Sequence, residues 1–213
     1  MSIVVEHEKR RREILEKSLD VFMDEGFENV TFQKIADRCG ITRTTLYIYF
    51  KNKKEIFNYS IKQFLQELED DITRISTQLD LSHFERLNRV MTVIIERLEE
   101  NRQLLSVVMN YLFYRSKGDH DPVSSAEAPV GRGSPPDYRV RRRTVRLRHI
   151  LNSMMIEGIR AGEFTSLNVK EANEALYGFI EAAIFRLSVL HHTKVEELKK
   201  AMNMLIRLLA HKC

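Results

Sequence analysis

From Phe57 onward, apolar residues fall at Phe57, Ile61, Phe64, Leu65, Leu68, Ile72, Ile75 and Leu79, the three-and-four spacing of one helical face held for several turns. The spacing predicts one long amphipathic helix. A second stripe runs through Leu87, Val90, Met91, Ile94, Ile95 and Leu98 and a third through Leu104, Leu105, Val108, Leu112 and Phe113, with Asn101 as the break between them. Leu147, Ile150, Leu151, Met154 and Met155 form another, ended by Ala161-Gly162. Two more follow: Ala172, Leu176, Phe179, Ile180, Ala183, Leu187 and Leu190, then Val195, Leu198, Met202, Leu205 and Leu209. Strand-like alternation is hard to find, and 8 Gly and 4 Pro give little punctuation, so the expected class is all-α.

One segment breaks the pattern. Residues 118–137 hold all four prolines and three of the eight glycines, so no helix runs through them, and a flexible loop is expected there. Charge sharpens the picture further. The net charge of +4 is small, yet residues 38–54 carry five basic side chains and no acid, and residues 139–148 carry six arginines and no acid. Two short segments therefore concentrate positive charge on an otherwise acidic chain. No stretch is long and apolar enough to span a bilayer, which suggests a cytoplasmic, membrane-free protein. Cys39 and Cys213 offer no disulfide framework, and the histidines have no zinc-type spacing, so no metal or cofactor is expected.

Residues 31–50, T-F-Q-K-I-A-D-R-C-G-I-T-R-T-T-L-Y-I-Y-F, carry the most information. Thr31 is a helix N-cap, and Ile35, Ala36 and Cys39 share the inward face of the helix it opens. Gly40 permits a tight turn, Ile41 buries behind it, and Thr42 caps a second helix whose Leu46 and Phe50 face inward. Ala36 is small enough for the two helices to cross closely, as in a helix-turn-helix. The outward residues of the second helix are then Arg43, Thr44, Tyr47 and Ile48, side chains suited to base edges in a major groove. Tyr49, Lys51, Lys53 and Lys54 flank them where phosphates would pass. A solvated basic helical hairpin that binds protein is the alternative, and it predicts binding insensitive to salt.

Ile14 to Phe57 resembles the DNA-binding domain of the TetR family of transcriptional regulators. The resemblance rests on the helix ending at Gly26-Phe27, the Thr31 cap, Ile35-Ala36 with Gly40-Ile41, Leu46-Tyr47-x-Tyr49-Phe50, and Lys51-Asn52-Lys53 with Glu55. It implies an N-terminal three-helix helix-turn-helix domain, residues 1–57, and a C-terminal helical domain for ligand binding and dimerisation, residues 58–213. It also implies a homodimeric repressor of a palindromic double-stranded DNA operator, released by a small-molecule effector. Matched residue by residue, Gln33, Thr42, Arg43, Thr44 and Tyr47 fall at positions that touch bases or the adjacent backbone, and Tyr49 and Lys53 at phosphate contacts; Thr31, Lys51 and Lys54 are further phosphate candidates. Thr44 stands where many members carry glycine or alanine.

Beyond about residue 60 the resemblance fades. Small residues on the last two stripes favour close helix approach, and the resemblance implies that these helices pair across a two-fold, so a dimer interface is expected there at Ala172, Leu176, Ala183, Leu187, Met202 and Leu205, the alternative being that they close the monomer core. Met91, Met109, Phe113, Met154, Tyr177 and Phe179, together with Tyr111, Tyr114 and Met155, are large and adaptable enough to line a pocket for a hydrophobic or aromatic effector, although such a stripe at helical spacing is more often core. No G-x-S-x-G, H-E-x-x-H or phosphate loop is present, so the chain is expected not to be an enzyme.

Overall fold

A computed structural model describes residues 3–118, 136–165, 168–190 and 194–210, of which residues 3–4, 114–118, 136–142 and 144 are described by backbone alone. Its helices are α1 (Ile3–Glu25), α2 (Phe32–Cys39), α3 (Arg43–Tyr49), α4 (Lys53–Ser76), α5 (His83–Glu100), α6 (Arg102–Gly118), α7 (Pro136–Arg160), α8 (Val169–Phe185) and α9 (Val195–Leu209); one π-helical turn, Arg186–Leu190, extends α8. No strand forms among the described residues apart from an isolated bridge between Phe164 and Ala210. The expected flexible loop, 118–137, lies outside the described residues except at its edges: α6 reaches Gly118 and α7 begins at Pro136. Proline suits a helix start, where its missing N–H is no loss.

Two compact units emerge, Met1–Gln63 with Gln103–Gly133 and Phe64–Arg102 with Ser134–Cys213. In the first, Ile14, Phe22, Ile35, Ala36, Leu46, Phe50 and Ile56 are almost completely buried. Phe27 is the hub of an aromatic cluster, with ring centroids 5.2 Å from Phe22, 5.0 Å from Phe57 and 5.1 Å from Tyr111 of α6. Cys39 is a core residue, and burial pushes its thiol pKa up against the pull of Lys17 and Arg10.

In the second unit α5 is central, burying Leu87, Val90, Met91, Ile94, Ile95 and Leu98 among α7, α8 and α9. Ser82 opens it with a reciprocal capping box to Glu85, and Asn101 closes it by donating from its side chain to the Arg97 carbonyl. Polar ties hold α9 to it: Lys199 to Glu96 at 2.8 Å and Asn203 to Asn88 at 2.9 Å. Gly158 allows the buried Phe164 ring to lie against α7, since a Cβ at 158 would stand 2.2 Å from a ring carbon.

One stripe is shorter than its periodicity. Helix α4 stops at Ser76, and Leu79, expected on the buried face, is 85% exposed. The Ser76 and Thr77 hydroxyls donate to the Thr73 carbonyl, and Thr77 also to Arg74. These side chains satisfy the last carbonyls and end the helix before the stripe does. Leu112, Phe113 and Leu190 are likewise exposed, each near the end of its own stripe.

Candidate nucleic-acid interface and effector cavity

Helix α2 starts where the Thr31 hydroxyl accepts the Lys34 N–H, and it ends at Gly40, whose φ of 67° is left-handed. The Gly40 and Ile41 N–H groups turn back to the Asp37 and Ala36 carbonyls. Thr42 then caps α3, its hydroxyl accepting the Thr45 N–H at 3.1 Å. With Leu46 and Phe50 anchored in the core, Arg43, Thr44, Tyr47 and Ile48 are left outward on one short helix.

These outward groups are organised by their neighbours. The Arg43 guanidinium donates to the Tyr47 hydroxyl at 3.0 Å and lies over the same ring. Tyr47 in turn packs on Phe32 of α2 at 4.8 Å. Gln33 is exposed and donates to Asp37 at 2.7 Å. Tyr49 stacks on His7 of α1 at 4.6 Å, while Arg11 sits 4.0 Å over the Tyr59 ring. Phe32 and His7 thus back the Tyr47 and Tyr49 rings, and nothing local in the sequence marks them for that work.

The basic residues divide by partner. Lys34 pairs with Glu25, and Arg38 with Asp24. Lys51 and Lys54 are exposed and join no ion pair among the described residues. Lys53 stands differently: its ammonium donates to the carbonyls of Phe27, Glu28 and Val30 at 2.8, 2.8 and 2.9 Å and lies 5.0 Å from the Phe27 ring centroid. In this posture all three of its protons are engaged, and it clamps the turn between α1 and α2.

In the second unit, Leu65, Leu68 and Ile72 of α4, Leu147 and Ile150 of α7 and Tyr177 of α8 line an apolar cavity of about 60 Å³. Glu69, Arg143 and Arg146 border it. Of the expected pocket residues only Tyr177 lines it. Met91 and Met154 are core, Met109 and Phe179 are half-buried, and Phe113 is exposed. Of the expected dimer residues, Ala172, Leu176, Ala183, Leu187 and Met202 are buried within the chain itself, and Leu205 is half-buried.

Residues 14–59 match the family described as bacterial regulatory proteins, tetR family. This segment is a TetR-family DNA-binding domain. The chain is a DNA-binding transcriptional regulator. The fatty acid metabolism regulator protein of Bacillus subtilis is 24% identical over 179 residues, covering 81% of this chain and 80% of that protein. A ketosteroid transcriptional regulator of Mycobacterium tuberculosis has the same fold, with a TM-score of 0.71 at 18% identity over 95% of this chain and 96% of its own. So does the transcriptional regulator FadR from Bacillus subtilis, solved in complex with stearoyl-CoA, with a TM-score of 0.62 at 22% identity over 92% and 96% of the two chains. No helix among the described residues is long and apolar enough to cross a membrane.

Proposed function

We propose that this regulator is a homodimeric TetR-family repressor that reads a palindromic operator through α3 and is released by an amphiphilic effector held in the second unit. The observation that carries the DNA reading is the acid-free outward face of α3, where Arg43, Thr44 and Tyr47 stand exposed and pre-positioned. Arginine suits guanine edges, threonine offers a hydroxyl and a methyl, and tyrosine a ring and a hydroxyl. Gln33 and Thr42 lie beside them, and Thr31, Tyr49, Lys51 and Lys54 supply the phosphate side.

A seven-residue recognition helix reads too few base pairs to find one site, so a second copy is needed. The faces of α8 and α9 left outward are suited to meeting it. Ala175, Gly178, Ala182 and Phe185 form one exposed stripe, and Met204 and Leu208, at 62% and 69% exposure, another. Small residues on one helix allow close approach by its two-fold mate.

For the effector, the apolar cavity bordered by Arg143 and Arg146 favours a molecule with a hydrocarbon body and an anionic head. An acyl-CoA has that chemistry, and a protein of this fold holds stearoyl-CoA. Release follows if the effector binds better to a form that holds DNA poorly. Selection from a random duplex library, followed by titration of the winner at two salt concentrations with and without decanoyl-CoA, tests all three parts. An enriched palindrome, steep salt dependence and loss of binding with decanoyl-CoA are expected. Enrichment of no sequence sinks the operator reading; an enriched operator indifferent to decanoyl-CoA sinks the effector class alone.

A further inference from the structure

The arginines at the cavity mouth are already occupied by a carboxylate from within the chain. Glu69 of α4 places Oε2 at 2.6 Å from Nη1 of Arg143 and Oε1 at 2.5 Å from Nη1 of Arg146, so each oxygen serves a different guanidinium. Arg143 is held further by the Gln66 side-chain oxygen at 2.9 Å and faces the Leu65 carbonyl at 3.4 Å. Glu69 and Arg143 are mostly buried, at 19% and 23% side-chain exposure, so their pairing is weakly screened by water. The neighbouring Arg148 is paired separately, with Glu174 at 2.6 Å, and lies over the Tyr177 ring.

Two consequences follow from this arrangement. One carboxylate facing two guanidiniums leaves the trio with a net positive charge, which a head group carrying two or more negative charges satisfies better than Glu69 does. The cavity behind it, about 60 Å³, is also well below the roughly 300–1,000 Å³ of ligand-filled pockets. An acyl chain gains room to enter as α4 and α7 part, and Glu69 is the charged tie between them at the mouth, beside the Gln66 and Leu65 contacts to Arg143.

We propose that Glu69 is a built-in competitor for the effector's head group: a polyanionic amphiphile takes Arg143 and Arg146 from Glu69, and the bridge between α4 and α7 opens as the chain enters. This rests on the reading of the cavity as the effector site. It gives the ligand differential affinity for the opened form, which any ligand-driven shift requires. Glu69 is thus a regulatory residue and need not itself touch the ligand.

Calorimetric titration of the full chain with decanoyl-CoA, and with uncharged 1-decanol as the control, distinguishes the possibilities. Glu69→Gln keeps the shape but removes the competing charge, so it is expected to bind decanoyl-CoA about tenfold more tightly than the native chain while binding 1-decanol equally. Adding Arg143→Ala to Glu69→Gln is expected to erase the gain. Should Glu69→Gln fold poorly by its melting temperature, Glu69→Asp, too short to reach both arginines, is expected to show part of the same gain. Native chain that binds decanoyl-CoA while neither Glu69 variant binds it more tightly overturns the competitor role alone. An equal gain for 1-decanol overturns it too, because Glu69 would then act by sealing the cavity. If neither the native chain nor the variants bind decanoyl-CoA, the effector reading and the competitor role fall together.

Discussion

The Lys53 ammonium lies 2.9 Å from the Val30 carbonyl, 23 residues earlier in the chain, and two further carbonyls from the same turn complete its set. A lysine in the middle of the basic segment 51–54 thus binds its own chain, while Lys51 and Lys54 on either side project into solvent. We infer that Lys53 is a positioning residue: it fixes the turn before α2 at the first residue of α4, and so the platform on which α3 rests.

Lys53→Met is expected to cost about 2 kcal/mol of stability, because it strips three carbonyls of a charged donor. Urea unfolding measures this directly. DNA affinity should fall with the dependence on salt unchanged. In contrast, Lys51→Ala or Lys54→Ala should reduce the slope of log affinity against log salt by about one each with little loss of stability. A shallower slope in Lys53→Met would return Lys53 to the phosphate contacts.

Arg43→Ala is expected to lose about 1–3 kcal/mol of discrimination at one operator position while non-specific binding changes little. Tyr47→Phe removes the hydroxyl that accepts from Arg43 at 3.0 Å and should relax preference at the same position to a smaller extent. Competition between the selected operator and single-base variants reads both effects. An Arg43→Ala protein with unaltered preferences would remove Arg43 from the base-reading set.

Acid should weaken the second unit through Glu163. Its two carboxylate oxygens contact His83 Nδ1 at 2.7 Å and accept the Phe84 N–H, at the start of α5, at 3.0 Å. Desolvation raises its pKa, but the bonds from His83 and Phe84 outweigh that, and the net shift is downward. A carboxylate with a lowered folded-state pKa contributes stability that is complete above the ordinary glutamate range and is lost as pH falls through the lowered value. The native chain should therefore lose more stability than Glu163→Gln between about pH 5 and pH 3, by about 1 kcal/mol or less for this partly exposed group. Parallel pH dependences in the two proteins would exclude the contribution.

Met204→Asp together with Leu208→Asp should yield a folded monomer that has lost tight operator binding. Sedimentation velocity gives the mass, and helical content by circular dichroism shows that the fold survives. Both side chains are exposed, so the substitutions create no buried charge within the chain. A dimer that survives both changes would move the interface off this face.

Much of the chain's local order could be read from the sequence by itself, because caps, turns and periodicity depend on residues within one or two turns of each other. Thr31, Gly40, Thr42 and Asn101 all perform the terminal roles their residue types suggest. The all-helical class, the two crossing helices and the outward set on α3 belong to the same local level. What only the tertiary structure decided was which surface each helix turns to its neighbours. Helix α8 has apolar or small residues on both sides, so periodicity alone could not say that Ala172, Leu176, Ala183 and Leu187 face inward while Ala175, Gly178, Ala182 and Phe185 face outward. Pairings over long sequence distance were equally invisible. Arg143 finds Glu69 from 74 residues away, and Lys53 finds the Phe27 carbonyl from 26. A charge in a sequence carries its sign but not its partner, and folding alone determines whether that partner is a phosphate, a carboxylate or the chain's own backbone.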